Sequence, residues 1–430
     1  GRHKWEARAV KLLFRLLLLP TLFIPLLAQG WPIDGYPDTG IRRLEEQRLI
    51  AAGEMQGSGQ PAGGRWPTSA VDIRLVDQPD LNLPPTDSAL SDQVLELLGE
   101  QAEFYGIAVL DLTDPNDPAY AEYRGDYRQN VGSVGKIIAA LGFFQALADA
   151  YPDDIAAREK LLFNTVVTAD RFSHWDHHDI RLFDVEKRTM LRRPMKEGDT
   201  GNLWEYLDWT LSVSSNAAAA MTMRDTMLLR HFGTQYPIPN DEITPFINGL
   251  SGSERTALFK QAFWAPVTAN GLSLDQIRQG SFFTREGKNL VAGGGLSYAS
   301  ARSLMQLVLQ MEKGQLVDEW SSRALKRLLY MTERRIRYAS SPALRDAAVY
   351  FKSGSLYSCQ PEEGFKCGKY KGNKKNYMNS LAIVEEDVGD QRVHYMVTLI
   401  SNVLRENSAV AHQTLGTRIH KLIKQRHGLQ

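Results

Sequence analysis

Val131-Gly-Ser-Val-Gly-Lys136 places a hydroxyl and an amine three residues apart, at the head of an apolar run (Ile137, Ile138, Leu141, Leu147) with helical spacing. A helix turns two such side chains onto one face, within reach of each other. A serine hydroxyl is a poor nucleophile until a neighbour takes its proton. A lysine can do this when burial or a second cation has driven off part of its own proton. Ser133 is the only serine in the chain with a lysine at that offset. Two further elements carry similar chemistry. Leu211-Ser-Val-Ser-Ser-Asn216 offers a hydroxyl at Ser214 and an amide at Asn216 on one short turn, and the same residues also suit an N-cap for a helix at Ala217–Ala220. Lys352-Ser353-Gly354 follows the apolar Val349-Tyr-Phe351 and so sits on or just after a strand.

The elements that must position these residues come from both ends of the chain. Ser88–Phe104 has helical apolar spacing, and Tyr105–Leu112 reads as a strand, followed by turn residues and a second strand near Tyr120–Tyr123. Helices dominate from the Ser133 helix to about Gln279, with no convincing strand, and two more amphipathic helices lie between Tyr298 and Met331. Strands return at Ala348–Lys352, Ser380–Glu385 and Val393–Ser401, and a helix over Asn407–Lys424 follows them. The expectation is an α+β fold: an antiparallel sheet flanked by terminal helices (88–150 and 290–430) and an all-helical lobe (151–289), with a cleft between them.

Fifty basic and fifty acidic residues balance, which argues against nucleic acid as a partner. Basic residues ahead of Leu16–Ala28, a run broken by Pro20 and Pro25, predict a signal peptide over 1–30 and a periplasmic or secreted protein. Membrane attachment is expected only if that segment stays uncleaved. Residues 31–87 read as an extension, with Gln56–Gly64 a flexible linker. Cys359 and Cys367 bracket a short loop and would close it as a disulfide in an oxidising compartment.

The three elements occur once each, in the order Ser-x-x-Lys, Ser-x-Asn, Lys-Ser-Gly. In this the sequence resembles the penicillin-recognising serine hydrolases, the class A β-lactamases most closely, over roughly 88–230 and 290–425. The resemblance implies a β-lactamase/transpeptidase-like fold and an acyl-enzyme formed on Ser133 with Lys136 as base. It implies proton relay by Ser214, and Asn216 holding Lys136 and the substrate amide. Substrate binding would fall to Lys352, Ser353 and Gly354, with the backbone N–H groups of Ser133 and Ser355 as the oxyanion hole. The expected substrate is a small molecule or a peptidoglycan-like amide, bound by a monomer with no cofactor.

The sequence departs from that family in three places. No Glu-x-x-Leu-Asn follows Asn216, and Glu242, at a different spacing, is the candidate base for releasing the acyl group. Ser173–Asp179 holds His174, His177 and His178 among carboxylates, a cluster better read as cleft rim than as a metal site. A lysine-rich insertion surrounds Cys359–Lys375. A β-lactamase-like hydrolase, a D-alanyl-D-alanine carboxypeptidase or esterase, and a penicillin-binding sensor that keeps its acyl group all remain open.

Overall fold

The computed structural model describes residues 34–430, so the expected signal segment lies outside the described residues. In chain order, the elements that matter for the site begin with α1 (Arg42–Ala51), α2 (Ser88–Leu98), β1 (Tyr105–Asp111), β2 (Ala119–Tyr123) and α3 (Lys136–Ala150). The middle supplies β3 (Asp179–Asp184), β4 (Thr189–Pro194), α4 (Leu203–Ser212), α5 (Asn216–Phe232) and α6 (Asn240–Gly249). The last stretch holds β5 (Ala348–Ser358), β6 (Lys375–Val388), β7 (Gln391–Asn402) and α7 (Ser408–Arg426).

The main sheet is antiparallel and runs β5-β6-β7-β1-β2. Successive strand residues point to opposite faces, and β1 is buried on both. Ile107 and Val109 pack with Leu90 and Val94 of α2 and with Leu415 and Ile419 of α7. Ala108 and Leu110 join the other core, which runs through Ile137, Ile138 and Leu141 of α3 into the helical lobe. This is the expected α+β arrangement, with α3 buried between sheet and lobe.

Two expectations need correction. The helical region is not free of strands: β3 and β4 form a hairpin with Asp179 opposite Pro194, and two short pairings, Val166–Thr168 with Thr200–Asn202 and Ile277–Arg278 with Tyr298–Ser300, accompany it. β3 reads Asp179-Ile-Arg-Leu-Phe-Asp184 and β4 reads Thr189-Met-Leu-Arg-Arg-Pro194, so each strand has only a short apolar stretch broken by charged residues, with neither a clean alternation nor a long hydrophobic run. Nor is 56–64 a loose linker. Gly63 N–H donates to the Arg345 carbonyl at 3.0 Å, Tyr330 Oη donates to the Gly63 carbonyl at 2.8 Å, and Gln60 Nε2 reaches the Glu333 carbonyl at 2.8 Å. Gly63 serves close backbone approach: a Cβ there would stand 1.9 Å from the Ala347 carbonyl oxygen.

Helix α1 is tied to the lobe by a buried ion pair, Arg43 Nε to Asp208 Oδ2 at 2.6 Å and Nη2 to Oδ1 at 2.8 Å, and the same guanidinium also donates to the Met331 carbonyl. Removing one partner would leave the other charge buried alone. Arg43→Ala is therefore expected to cost about 3–5 kcal/mol of stability, read as a lower denaturation midpoint at unchanged slope.

Candidate active site

Ser133 lies in the tight turn Gly132–Gly135 that leads into α3, with the strand β5 crossing directly over it. The crossing depends on two glycines. A Cβ on Gly354 would stand 2.1 Å from the Val131 carbonyl oxygen and 2.7 Å from the Ser133 nitrogen. Gly132 has φ +55°, and a Cβ there would meet the Ser355 nitrogen at 3.2 Å. The serine turn and β5 therefore meet backbone to backbone, with the nitrogens of Ser133 and Ser355 both at the crossing.

At the first residue of α3, the fully buried Lys136 extends its amine into a ring of acceptors. Its Nζ is 2.9 Å from Ser133 Oγ, 2.7 Å from Asn216 Oδ1, 3.0 Å from Ser214 Oγ and 2.7 Å from the Ser214 carbonyl. The Phe283 ring lies 5.0 Å from the same nitrogen. Burial drives the Lys136 pKa down to about 7, against the opposing pull of the Asp176 charge. Lys352 on β5 completes the group: its Nζ donates to Ser214 Oγ at 3.0 Å and to the Ser353 carbonyl at 2.7 Å. Burial pushes its pKa well below the ordinary lysine value, and the charges of Lys136 and Arg337 push in the same direction. Ser214 Oγ therefore touches both amines and forms a hydroxyl bridge along which a proton can pass.

The Ser214–Asn216 turn divides its duties. Ser215 caps α5, its hydroxyl accepting from Ala218 N–H at 3.0 Å. Ser214 and Asn216 are thereby left free to face Lys136. Ser214 sits at φ +61°, a strained conformation for a residue with a Cβ, and its carbonyl is repaid by the Lys136 amine. The turn is held from outside by Asp176, whose Oδ2 accepts from Ser215 Oγ–H and from Ala217 N–H, both at 3.0 Å. Its Oδ1 meets His178 Nδ1 at 2.7 Å. Burial opposes ionisation of Asp176, but His178 and the Ala217 N–H outweigh it and hold the carboxyl well below the usual range.

All of Ser133, Lys136, Ser214, Asn216, Lys352, Ser353, Gly354 and Ser355 meet here, drawn from three distant parts of the chain. Glu242 does not. It is exposed in the first turn of α6, and the carboxylate whose charge is felt at Lys136 is that of Asp176. The acyl-release role expected of Glu242 has no structural footing, because a surface helix start presents that side chain to solvent. Cys359 and Cys367 form the expected disulfide, with Cα atoms 6.1 Å apart. Ligand atoms of Asp176, His177 and His178 lie within 4.8 Å of one another, yet both Asp176 oxygens already accept hydrogen bonds in this arrangement.

Sequence reasoning missed two residues. Arg337 donates to Ser353 Oγ at 2.7 Å and reaches Ser355 Oγ at 3.3 Å, so a guanidinium lines the strand beside the Lys352 amine. Phe283 packs on Lys136. Neither stands in a motif, and only folding brings them in.

Solved structures share this architecture. A variant of PBP-A, described as an acyl-enzyme complex with penicillin G, superposes with a TM-score of 0.50 at 14% identity and covers 80% of this chain and 100% of that one. A β-lactamase from Sphaerobacter thermophilus gives 0.47 at 13% identity (79% of this chain, 97% of that one), and TLA-3 extended-spectrum β-lactamase gives 0.47 at 13% (78% and 98%). No protein-family profile matches the sequence, and no curated protein matches it. The likeness to the PBP-A variant is one of fold.

Proposed function

We propose, for a chain with the fold of the β-lactamases and penicillin-binding proteins, that Ser133 is a nucleophile forming an acyl-enzyme with β-lactams or related D-amino-acid amides. The observation that carries this reading is the 2.9 Å contact between Ser133 Oγ and a buried Lys136 amine whose pKa stands at about 7. In its neutral form that amine takes the serine proton as Oγ attacks the carbonyl carbon. The oxygen of the tetrahedral adduct lies between the N–H groups of Ser133 and Ser355. On collapse, Ser214 passes a proton to the departing nitrogen and is resupplied from the lysines. A substrate carboxylate is received by Ser353 and Arg337 beside Lys352. The disulfide supports export to an oxidising compartment as part of this reading.

Release of the acyl group needs an activated water. The group that packs on the Lys136 amine is a phenylalanine ring, which favours a second reading: a penicillin-binding sensor or peptidase whose β-lactam adduct persists. One experiment addresses both. Intact mass of the protein mixed with penicillin is expected to rise by one penicillin, and Ser133→Ala is expected to show no such rise. Decay of the adduct alongside hydrolysis of a chromogenic β-lactam identifies the hydrolase, whereas a lasting adduct identifies the sensor or peptidase. Absence of any adduct on native protein would end the proposal.

A further inference from the structure

Beyond Ser355 the strand β5 does not stop. It stays paired with β6 to Ser358 opposite Lys375, carrying exposed Leu356 and Tyr357 past the crevice. It is also an edge strand, with no strand pairing on its other side. The loop that joins it to β6 is closed by Cys359–Cys367 and carries Lys366, Lys369, Lys371, Lys374 and Lys375. Against these stand Glu362 and Glu363, and Glu362 is already engaged by Arg405 at 2.9 Å and Asn373 at 2.7 Å. Among the described residues none of the five lysines forms an ion pair, a local excess of positive charge that the balanced composition of the whole chain conceals.

The loop is fixed to the site rather than hanging from it. The Tyr370 carbonyl accepts from Ser408 N–H at 3.1 Å and Oγ–H at 3.0 Å, and Arg405 N–H donates to the Gly372 carbonyl at 2.9 Å. The Tyr370 ring lies 4.6 Å from the Arg337 guanidinium carbon and 5.2 Å from Lys369 Nζ. Burial opposes ionisation of that phenol, yet Arg337 and Lys369 outweigh it and lower its pKa, a local sign of positive potential. Arg337 in turn holds Ser353 and Ser355. A run of cations therefore leads from Arg337, beside Lys352, across Tyr370 to the hairpin.

We propose that this hairpin and the adjoining edge of β5 form a subsite for a carboxylate-rich peptide segment of the substrate, on the acyl side of the bond that Ser133 attacks. The side follows from strand direction. Lys352 and Ser353 precede the crevice and suit the leaving portion, while Leu356, Tyr357 and the lysines follow it and face the portion that stays on the serine. The inference rests on the acyl-enzyme reading and adds to it a substrate class, an acidic peptide. Charges lining one end of a cleft raise the encounter rate of an oppositely charged ligand by about 10–10³-fold, and salt removes the gain once the screening length falls below roughly 10 Å.

The test uses two peptide thioesters identical at the reacting bond, one with two glutamates on the acyl side and one with two glutamines. At low salt the native chain is expected to acylate from the acidic thioester at least about tenfold faster, with the ratio approaching one in 0.5 M salt. Lys366→Gln, Lys369→Gln and Lys374→Gln combined, all at exposed positions, should abolish the preference and leave the rate with the neutral thioester unchanged. Equal rates for the two thioesters, or a preference that survives both salt and the triple substitution, would overturn the subsite while leaving Ser133 acylation intact. No acylation by either thioester or by penicillin would bring down the acyl-enzyme reading and the subsite with it.

Discussion

Replacing Lys136 by alanine is expected to slow acylation of Ser133 by about 10²–10⁴-fold, the usual contribution of a positioned general base. The loss should appear in the adduct-formation rate, measured at a temperature where circular dichroism shows the variant folded. The pH profile of the native protein carries the sign. The neutral amine is the base, and its fraction rises with pH, so acylation should climb about tenfold per unit below pH 7 and level off above it. A rate that falls as pH rises through 7 would exclude Lys136 as the proton acceptor.

Gly354→Ala is the second large effect expected. The added methyl would stand 2.1 Å from a backbone oxygen and 2.7 Å from a backbone nitrogen, neither of which belongs to a flexible side chain that can swing away. The strand must retreat from the serine turn, which separates the Ser133 and Ser355 N–H groups that the proposed mechanism uses. Loss of one such donor typically costs about 10²–10³-fold in the chemical step. Acylation should fall by at least that factor, accompanied by a lower melting temperature. Acylation at the native rate would mean that the crossing of β5 over Ser133 is not what stabilises the developing charge.

The legible part of the site is the part whose chemistry is local. Ser133 and Lys136 lie one helical turn apart, so their meeting needs only a helix. Ser214 and Asn216 share a turn, and Lys352 precedes a glycine that its strand requires for close approach. The illegible part depends on contacts between segments. Asp176 holds the Ser214 turn through a backbone N–H and a serine hydroxyl some forty residues away, contacts no residue type announces. Arg337 reaches β5 from a short turn at φ +52°. In the fold, the long strands and terminal helices were legible because buried strands are densely apolar. The β3–β4 hairpin was not, because charged residues interrupt it. The 56–64 segment looks like a linker in composition, yet its Gly63 fits against the Ala347 backbone.

Phe283 determines how the proposed chemistry would be experienced from outside. A hydrocarbon face against the Lys136 amine gives an incoming water nothing to bond to on that side. On the reading in which the adduct persists, each molecule would behave like a fuse: it would record a single encounter and stay spent, and the population would report cumulative exposure rather than momentary concentration.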